Sequence, residues 1–340
     1  MISLEKDVAN EFKGKKILIT GGTGSIGIGL AKHLSKCKPS AIRIFSNDEN
    51  SIFEVKRIFG ENPLFTFMVG DIRDRERLNL AIRNVDIVFH VAAMKHIDIC
   101  EENPFDAVKT NVLGTSNILE ASLIENVSKF ILISTDKATH PTSTLGASKL
   151  LAERLTLNAS AYRGLGETIF SIVRFGNVIG SRGSVFQIFL QQLKNKVPLT
   201  VTDARMTRFI MSISEAASMI LKVTKIMQDE EIYILKMPSV RIEDLAKGMR
   251  YVYSTRFPGL KNLPPIKISK SRKHERFHEF LITSDELPYC QDIKGMYKIS
   301  KNISKNRIPL SQFSSETAER ISQERLHRII NELLDEFLSY

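Results

Sequence analysis

The feature that most constrains the fold is an alternation of short apolar runs with helical patterns through the first half of the chain. Five runs are rich in β-branched and aromatic residues: KILIT at 16–20, AIRIF at 41–45, FTFMV at 65–69, DIVFHV at 86–91 and FILIS at 130–134. Such continuous apolar runs are typical of strands buried on both faces of a parallel sheet. The intervals between them leave room for crossover helices. The sequence therefore predicts an α/β fold with a Rossmann-type, doubly wound parallel sheet.

A glycine-rich segment, TGGTGSIG at 20–27, connects the first run to a helical pattern. Glycines at this junction allow a tight turn, a close backbone approach to a pyrophosphate and close packing of helix on strand, and the helix amino terminus favours an anion. Its place between a predicted strand and a predicted helix indicates a dinucleotide site. The predicted cofactor contacts here are Gly21, Thr23, Gly24, Ser25, Ile26 and Gly27.

The residues after the second run bear on which dinucleotide is bound. An acidic side chain at this point favours the ribose 2′-hydroxyl of NAD, whereas a small residue followed by a cation favours the 2′-phosphate of NADP. Here Ser46 takes the usual acidic position, no arginine follows it, and Asp48 either points to the ribose or caps the next helix. The choice between NADP and NAD stays open and leans slightly to NADP. Further predicted cofactor contacts are Asn47, Asp71, Ile72, Ala92 and Ala93.

Composition limits the other classes of protein. No apolar run approaches the roughly 20 residues of a membrane span, and the amino terminus lacks the apolar segment of a signal peptide, which predicts a cytoplasmic protein. Three scattered cysteines, Cys37, Cys100 and Cys290, indicate neither disulfides nor a metal site. Much of the net charge of +10 lies at 261–276 without interleaved aromatic residues. That pattern favours a pocket for phosphates over a nucleic-acid surface.

The sequence pattern changes after Gly176, which follows a sixth apolar run at 168–175. Shorter elements and glycine-rich loops follow, and the last segment has apolar residues at three- and four-residue spacing from Leu326 to Phe337, as in an amphipathic helix. We predict an NAD(P)-binding domain at 1–175, to which 211–238 returns, a smaller C-terminal lobe at 176–210 and 239–313, and a C-terminal amphipathic helix at 314–340.

The fifth run leads into Ser134-Thr135-Asp136-Lys137, and the helical pattern that follows carries Leu145 and Lys149 four residues apart. This arrangement resembles the extended branch of the short-chain dehydrogenase/reductase superfamily. In that superfamily the lysine binds the nicotinamide ribose and lowers the pKa of a tyrosine one helical turn earlier, which is the usual acid/base. Here that position is Leu145, and the first tyrosine of the chain is Tyr162. Leucine cannot titrate, so another group must deprotonate the reacting hydroxyl.

Five blocks in order narrow the resemblance and together span about residues 15–300. They are AAMKH at 92–96, NPFDAVKTNVLGT at 103–115, STDKA at 134–138, VRFGNVIGSRGSV at 173–185 and LTVTDARMTRF at 199–209. They resemble the UDP-N-acetylglucosamine 4,6-dehydratases of polysaccharide biosynthesis. Some branches of that family carry an apolar residue at the tyrosine position and are still active, and Leu145 resembles that subgroup.

The resemblance implies hydride abstraction at C4 of a hexose, elimination of water across C5 and C6, and hydride return to C6. This chemistry needs a nicotinamide, a base for the C5 proton and an acid for the departing C6 hydroxyl. An adjacent carboxylate and amine can shift each other's pKa and so divide the last two roles. We assign Asp136 as the acid and Lys137 as the base, with the reverse left open. Thr135 would orient or relay the C4 hydroxyl proton, and Lys149 would anchor the cofactor ribose.

The nucleotide-sugar contacts implied by the resemblance lie mostly in the predicted lobe. Arginine suits a diphosphate because its planar guanidinium donates two parallel hydrogen bonds. At 271–276, SRKHER stands where the family shows Arg-x-Gly-Glu-Lys, with His274 for the glycine and Arg276 for the lysine, a departure that bears on which sugar is bound. The predicted substrate contacts are Lys95, Asn177, Arg182, Val185, Thr202, Thr207, Arg208, Arg272 and Glu275, and Lys95 and Asn111 are also placed beside the cofactor.

The leading hypothesis is an NAD(P)-dependent 4,6-dehydratase of a UDP-N-acetylhexosamine, with UDP-GlcNAc first, in surface polysaccharide or glycan biosynthesis. The resemblance also implies a homo-oligomer. One alternative is a UDP-sugar 4-epimerase. A second is a non-catalytic nucleotide-binding protein that kept this fold after losing the tyrosine base.

Overall fold

A computed structural model describes residues 6–258, 262–269, 275–304 and 308–338. The chain divides into two compact units. The first consists of Met1–Phe175, Ser214–Lys236 and Ile282–Ile308, and the second of Gly176–Ile213, Met237–Leu281 and Pro309–Tyr340.

The strands of the described residues are β1 (Lys16–Thr20), β2 (Ala41–Ser46), β3 (Phe65–Val69), β4 (Ile87–His90), β5 (Lys129–Thr135), β6 (Ile169–Phe175), β7 (Asn177–Val178), β8 (Leu199–Val201), β9 (Thr207–Met211), β10 (Glu231–Leu235), β11 (Ser239–Arg241), β12 (Ile266–Ile268), β13 (Cys290–Ile293) and β14 (Met296–Ile299). The helices are α1 (Lys6–Phe12), α2 (Ser25–Leu34), α3 (Glu49–Phe59), α4 (Arg75–Ile82), α5 (Ile97–Glu102), α6 (Pro104–Val108), α7 (Gly114–Ile124), α8 (Thr144–Asn158), α9 (Val185–Lys194), α10 (Ile213–Ile226), α11 (Ile242–Arg256) and α12 (Gln323–Leu338).

The first unit is built on a sheet that runs, within the described residues, in the order β13-β14-β10-β6-β5-β4-β1-β2-β3. From β3 to β10 every neighbouring pair is parallel, and β14 and β13 extend the sheet as antiparallel strands. The order β3-β2-β1-β4-β5-β6 is that of a doubly wound dinucleotide-binding sheet. The predicted α/β Rossmann-type fold is confirmed.

The apolar runs are largely buried against helices that pack on the sheet, except in β3 at the end of the strand order, where Val69 is 48% exposed. Ile17, Leu18 and Ile19 in β1 have no exposed surface, and all four residues of β4 are buried. The strand order reverses between β1 and β4, and in sheets of this kind ligands bind at the carboxyl ends of the strands beside that reversal. Thr20 and His90 end those two strands, so the candidate site begins there.

Two parts of the chain lie differently from the predicted domain boundaries. The segment Ile282–Ile308, which the sequence placed in the lobe, belongs to the first unit, because β13 and β14 form an antiparallel pair beside β10. Gly295, with a φ of 81°, makes the turn between these two strands. The C-terminal segment from Pro309 belongs to the second unit.

The second unit has its own apolar core, formed largely by α9, α11 and α12. Phe186 and Phe189 of α9 and Ile330 of α12 are fully buried in it. A three-stranded sheet in the order β11-β9-β7 and a parallel pair of β12 with β8 complete its described part. Across the described residues, no helix combines the length and apolarity that crossing a membrane would require.

Candidate active site

The glycine-rich segment forms a tight turn between β1 and α2. Gly21 has a φ of 62°, and a Cβ on it would lie 2.7 Å from the Cα of Ala92. A Cβ on Gly27 would lie 2.6 Å from the Cα of Gly22, so α2 packs directly on the turn. Gly24 stands at the N-cap of α2 and offers no side chain to cap it. The segment therefore presents backbone and a helix amino terminus, an arrangement suited to an anion.

The polar side chains at the end of β2 form hydrogen bonds with neighbouring residues. The Thr23 hydroxyl donates to the Ser46 hydroxyl at 2.9 Å, and both residues are buried. Asp48 is the N-cap of α3, where its carboxylate accepts from the backbone N–H and the hydroxyl of Ser51. Of the two roles left open by the sequence, capping is the one present in this structure.

Asp71, after β3, is held by a bidentate ion pair with Arg73 at 2.7 and 3.0 Å and by the amide of Asn47 at 3.2 Å. Partial burial would raise the pKa of its carboxyl, but these hydrogen bonds and the charge of Arg73 hold that pKa below its usual value. Ile72 follows Asp71 and is buried. It packs closely on Gly114 of α7: a Cβ added to Gly114 would lie 2.6 Å from Cδ1 of Ile72.

His90 ends β4 and is buried in a chain of hydroxyl groups. The Thr115 hydroxyl donates to the carbonyl of Asn111 at 2.7 Å, so it accepts from Nε2–H of His90 at 3.0 Å. Nδ1 of His90 therefore accepts from the Thr20 hydroxyl at 2.7 Å. Burial, with the charge of Lys149, lowers the pKa of His90 to about 3, and the imidazole is neutral at pH 7. Its two hydrogen bonds connect β4 to β1 and to α7. His90 therefore has a structural role and does not act as an acid.

Asn111 lies in a π-helical turn, Lys109–Leu113, between α6 and α7. Its side-chain oxygen accepts from the Met94 N–H at 2.8 Å, and its amide donates to the Met94 carbonyl at 3.1 Å and to the Ser148 hydroxyl at 3.0 Å. Asn111 thus fixes the loop after β4, which carries Ala92, Ala93 and the exposed Lys95, against α8. π-helical turns are frequent at functional sites.

Thr135, Asp136 and Lys137 occupy the end of β5 and a short 3₁₀ turn, Asp136–Ala138. The Asp136 carboxylate is fully buried, and its Oδ1 accepts from Thr135 Oγ1 and from Lys137 Nζ, both at 3.0 Å. Its Oδ2 is buried and has no hydrogen-bond partner among the described residues. Thr139 Oγ1 donates to the Asp136 carbonyl at 2.7 Å and closes the turn. The three predicted catalytic residues of this stretch are thus in direct contact.

Helix α8 is pressed against this turn at Gly146. A Cβ on Gly146 would lie 2.4 Å from the carbonyl oxygen of Lys137, a contact that no other residue type could make without movement. Ser143 caps the helix by accepting from the Gly146 N–H at 3.2 Å, and Glu101 of α5 accepts from the Thr144 N–H at 2.6 Å. The contact between Gly146 and the Lys137 carbonyl therefore positions the start of α8 against the turn Asp136–Ala138.

Lys149 lies one turn further along α8 and is 6% exposed. Its Nζ donates to the carbonyl of Ile133 in β5 at 2.8 Å. Burial lowers the pKa of this lysine to about 8, although the charge of Glu153 acts in the opposite direction. An amine with this pKa is poised to change its charge near neutral pH.

Leu145 is 3% exposed and packs in a small apolar cluster with the buried residues Cys100 and Ala107. Met94 and Ile97 pack against the same cluster. These side chains offer no titratable oxygen in the place where the superfamily has a tyrosine hydroxyl.

A buried ion-pair cluster contains Glu153, which follows Lys149 by about one turn of α8. Arg174, at the end of β6, binds Glu153 of α8 through Nε at 3.1 Å and Nη2 at 2.6 Å. It also binds Glu286 of the returning segment through Nη1 and Nη2, both at 2.9 Å. Sequence reasoning missed these residues. A charged residue inside the apolar run at 168–175 was a signal of a buried ion pair, but nothing local pointed to Glu286.

The second unit contains most of the predicted substrate contacts. Asn177 lies in β7 and its side-chain oxygen is buried with no hydrogen-bond partner among the described residues, as is Oγ of Ser184, the N-cap of α9. Arg182 is exposed and precedes Val185, where α9 begins.

Thr207 and Arg208 of β9 are both buried and already engaged within the second unit. The Thr207 hydroxyl contacts His278 Nδ1 at 2.8 Å and Ser315 Oγ at 2.7 Å. Arg208 donates to Glu275 at 3.2 Å and lies 3.7 Å from Glu279. Thr202 donates to the sulfur of Met206 at 3.1 Å. Arg272 and His274 fall outside the described residues.

Comparison with known proteins gives consistent matches over most of the chain. A family model described as polysaccharide biosynthesis protein matches residues 17–301. The chain belongs to this family. The family lies within the extended short-chain dehydrogenase/reductases, so the resemblance seen in the sequence is confirmed.

The names of the relatives state a dehydratase, an epimerase or no activity. An uncharacterised membrane protein of Methanocaldococcus jannaschii is 43% identical over 96% of this chain and 98% of its own length. An inverting UDP-N-acetylglucosamine 4,6-dehydratase of Campylobacter jejuni is 40% identical over 86% of this chain and 84% of its own. A UDP-glucose 4-epimerase of Rickettsia felis is 38% identical over 85% and 83%. Among solved structures, Pen from Bacillus thuringiensis has a TM-score of 0.87 and 37% identity, covering 94% of this chain and 98% of that one.

Proposed function

We propose that this protein is a nicotinamide-dependent dehydratase that converts a UDP-N-acetylhexosamine, UDP-GlcNAc first, to a 4-keto-6-deoxy sugar. The observation that carries the proposal is the turn of Thr135, Asp136 and Lys137 at the carboxyl end of β5. It combines a buried carboxylate, an amine 3.0 Å away and a carboxylate oxygen with no partner among the described residues. The 40% identity to a Campylobacter jejuni protein named as a UDP-N-acetylglucosamine 4,6-dehydratase also supports it.

The glycine segment fits a nicotinamide dinucleotide. Side chains at Gly21, Gly22 and Gly27 would collide with neighbouring backbone at 2.6–2.9 Å, so the turn leaves backbone alone beside the uncapped amino terminus of α2. A pyrophosphate is the anion that such a turn accommodates. When bound, the cofactor supplies hydride transfer, which oxidises C4 of the hexose and later reduces C6. The Lys149 amine, held on Ile133, would bind the ribose hydroxyls.

The end of β2 supports NADP over NAD. A hydroxyl, Ser46, stands where a carboxylate would read a ribose 2′-hydroxyl, and the nearby Asp48 carboxylate is engaged in capping α3. Titrating the protein with NADP⁺ and NAD⁺ by isothermal titration calorimetry tests this choice. Tighter binding of NAD⁺ would contradict it.

The proposed roles of Asp136 and Lys137 depend on which of the two side chains holds a proton. With the proton on Asp136, the carboxylic acid can protonate the departing C6 hydroxyl, and the free Lys137 amine can take the C5 proton. Asp136 can receive this proton earlier, as a carboxylate, when C4 is oxidised: Thr135, whose hydroxyl is 3.0 Å from Asp136 Oδ1, can pass it the C4 hydroxyl proton that Asp136 then gives to the C6 hydroxyl. Leu145 has no part in proton transfer.

Two variants separate this assignment from its reverse. In deuterated water, Asp136→Asn should still exchange the C5 hydrogen of an oxidised sugar but lose little or no water. Lys137→Met should block the exchange as well. If Asp136→Asn blocks exchange and Lys137→Met preserves it, Asp136 is the base.

Two groups of residues in the second unit are proposed to bind the nucleotide and the diphosphate. Asn177 and Arg182 precede α9 in the sequence, and polar atoms of Asn177 and of Ser184, the N-cap of α9, are buried without a partner in the described part of the chain. Arg208 and Glu275 are proposed to contact the uridine diphosphate and its ribose. Replacing Arg208 with Lys should raise the KM for the UDP-sugar more than it lowers kcat, because a bidentate guanidinium is lost.

The deciding experiment is to incubate the purified protein with NADP⁺ or NAD⁺ and UDP-GlcNAc and to follow product mass. Dehydration removes one water from the sugar nucleotide. A product of unchanged mass and altered retention time would instead support a 4-epimerase, the activity named for the Rickettsia relative. Cofactor binding without turnover of any UDP-hexose would support the non-catalytic alternative.

A further inference from the structure

The buried charges around Lys149 sum to zero only when Glu153, Arg174 and Glu286 are all counted with it. Glu153 stands four residues after Lys149 on α8, so both side chains lie on one face of the helix. Both carboxylate oxygens of Glu153 accept from Arg174, which is 1% exposed. If this pair were alone, Arg174 would cancel the field of Glu153 at the lysine.

Glu286 changes that balance. It binds both terminal nitrogens of Arg174 at 2.9 Å and is only 12% exposed. Its carboxylate is fixed further by the Thr283 N–H at 2.9 Å, while its own N–H donates to the Thr283 hydroxyl at 3.3 Å. Burial would raise the pKa of Glu286, but the charge and hydrogen bonds of Arg174 hold it below its usual value, so it stays ionised. Among the buried groups of this cluster, two carboxylates and one guanidinium leave one net negative charge, and Lys149 is the buried cation one helical turn from Glu153.

The remaining titratable groups near α8 do not supply this counter-charge. His90 of β4 is neutral, and Asp136 and Lys137 balance each other at 3.0 Å. Cys100 of α5 is buried, and burial raises the pKa of its thiol, which keeps it uncharged. The other charged groups on helices packed against α8, and on α8 itself, are Asp98, Glu101, Glu102, Asp106, Lys109, Glu120 and Arg154, none of them fully buried. Of these, the exposed Arg154 also helps to lower the pKa of Glu286.

We propose that Glu286 is a positioning residue that keeps the positive charge on Lys149, acting through Arg174 and Glu153. The proposal deepens the proposed function and rests on it for one point, that a charged Lys149 binds the cofactor ribose. Removing the charge of Glu286 would leave Arg174 to neutralise Glu153, and Lys149 would then be a buried cation without a counter-charge. A cation in that state loses its proton more readily.

The test measures Lys149 directly in the protein without cofactor or substrate. Lysines labelled with ¹³C at Cε are titrated by NMR, and the Lys149 signal is assigned by its loss in Lys149→Arg. In Glu286→Gln the lysine should titrate at lower pH, with a roughly tenfold rise in the ratio of neutral to charged amine at a given pH. Glu286→Asp, which keeps the charge, should restore most of the wild-type behaviour.

The matched control is Asp292→Asn. It removes the same charge from the same returning segment, at a carboxylate 48% exposed and paired with Lys236 at 2.6 Å. This variant should leave the Lys149 titration unchanged. An unchanged titration in folded Glu286→Gln, or an equal shift in Asp292→Asn, would overturn the proposal.

A second variant keeps the test available if Glu286→Gln does not fold. Combining Glu153→Leu, Arg174→Met and Glu286→Met replaces a buried ion cluster by apolar side chains, a change that proteins often tolerate. It also removes the net negative charge, so Lys149 should again titrate at lower pH. If this variant titrates like the wild type, the cluster does not hold the lysine charge.

The outcome is separable from that of the proposed function. The Lys149 titration needs no turnover, so it can support the charge balance even if no UDP-sugar is dehydrated. If dehydration is found, its decline at high pH should begin at lower pH in Glu286→Gln and not in Asp292→Asn.

Discussion

Replacing Gly146 with alanine tests whether the proposed catalytic turn, Thr135 to Lys137, depends on close packing of α8. The added Cβ would lie 2.4 Å from the Lys137 carbonyl oxygen, and contacts below 3.0 Å are essentially never seen, so the turn or the helix must move by at least about 0.6 Å (3.0 − 2.4). Pro141 Cβ lies 3.0 Å from the same added atom and also restricts its movement. Alanine favours a helix over glycine by about 1 kcal/mol, while overpacking costs about 1–3 kcal/mol, so the free energy of unfolding should fall by about 0–2 kcal/mol.

Catalysis should suffer more than stability. A misplacement of about 1 Å can cost on the order of 100-fold in rate, so a shift of this size should lower kcat by about 10- to 100-fold. The assay is steady-state loss of water from UDP-GlcNAc, with thermal unfolding measured in parallel. Gly248→Ala is the control, because the nearest atoms to its Cβ are flexible side-chain ends of Ile330 and Leu326 at 3.2 and 3.4 Å. Dehydration by folded Gly146→Ala within about threefold of the wild type would refute the reasoning.

Three further predictions concern single side chains of the same site. Asp136→Asn should lower kcat for dehydration by about 100- to 10,000-fold while cofactor affinity, measured by isothermal titration calorimetry, stays near that of the wild type. The pKa of Lys149 is about 8 when folded, against about 10.4 when unfolded, so the unfolded state binds more protons between those values. Stability should therefore rise by on the order of 3 kcal/mol as pH increases from about 8 to 10.4, a rise seen in chemical denaturation of the wild type and absent from Lys149→Met. Leu145→Tyr should destabilise the fold by about 1–3 kcal/mol, because the larger side chain enters a packed apolar cluster, and should not increase turnover; a faster enzyme would mean that the tyrosine base is still usable.

Local pattern was enough to predict the sheet and the glycine turn. The buried strands of a parallel sheet read as continuous apolar runs, and the glycine spacing is required by contacts within a few residues of the turn. The antiparallel strands β13 and β14 were missed because they are short and mix polar with apolar residues, as in QDIKGMYK at 291–298. Their place in the sheet is set by pairing with β10, which is more than 50 residues away in sequence.

The candidate site also contains some contacts that could be predicted from the sequence and others that could not. Thr135, Asp136 and Lys137 are adjacent in sequence, so their contact could be foreseen. The role of Asp48 as a helix cap depends on local backbone geometry. The pairing of Arg208 depends on Glu275, which is 67 residues away in sequence. Neither could be decided from residue types alone.

The first unit is assembled from three separate stretches of chain, and this has a consequence for synthesis on the ribosome. Glu286 follows Arg174 by 112 residues, and two stretches of the second unit are translated between them. The nascent first unit therefore has a buried arginine with one of its two carboxylates, and a sheet without its last two strands, until translation has passed residue 299. The two units cannot be completed one after the other as tandem domains are, and a gene fragment ending before residue 282 would encode neither of them whole.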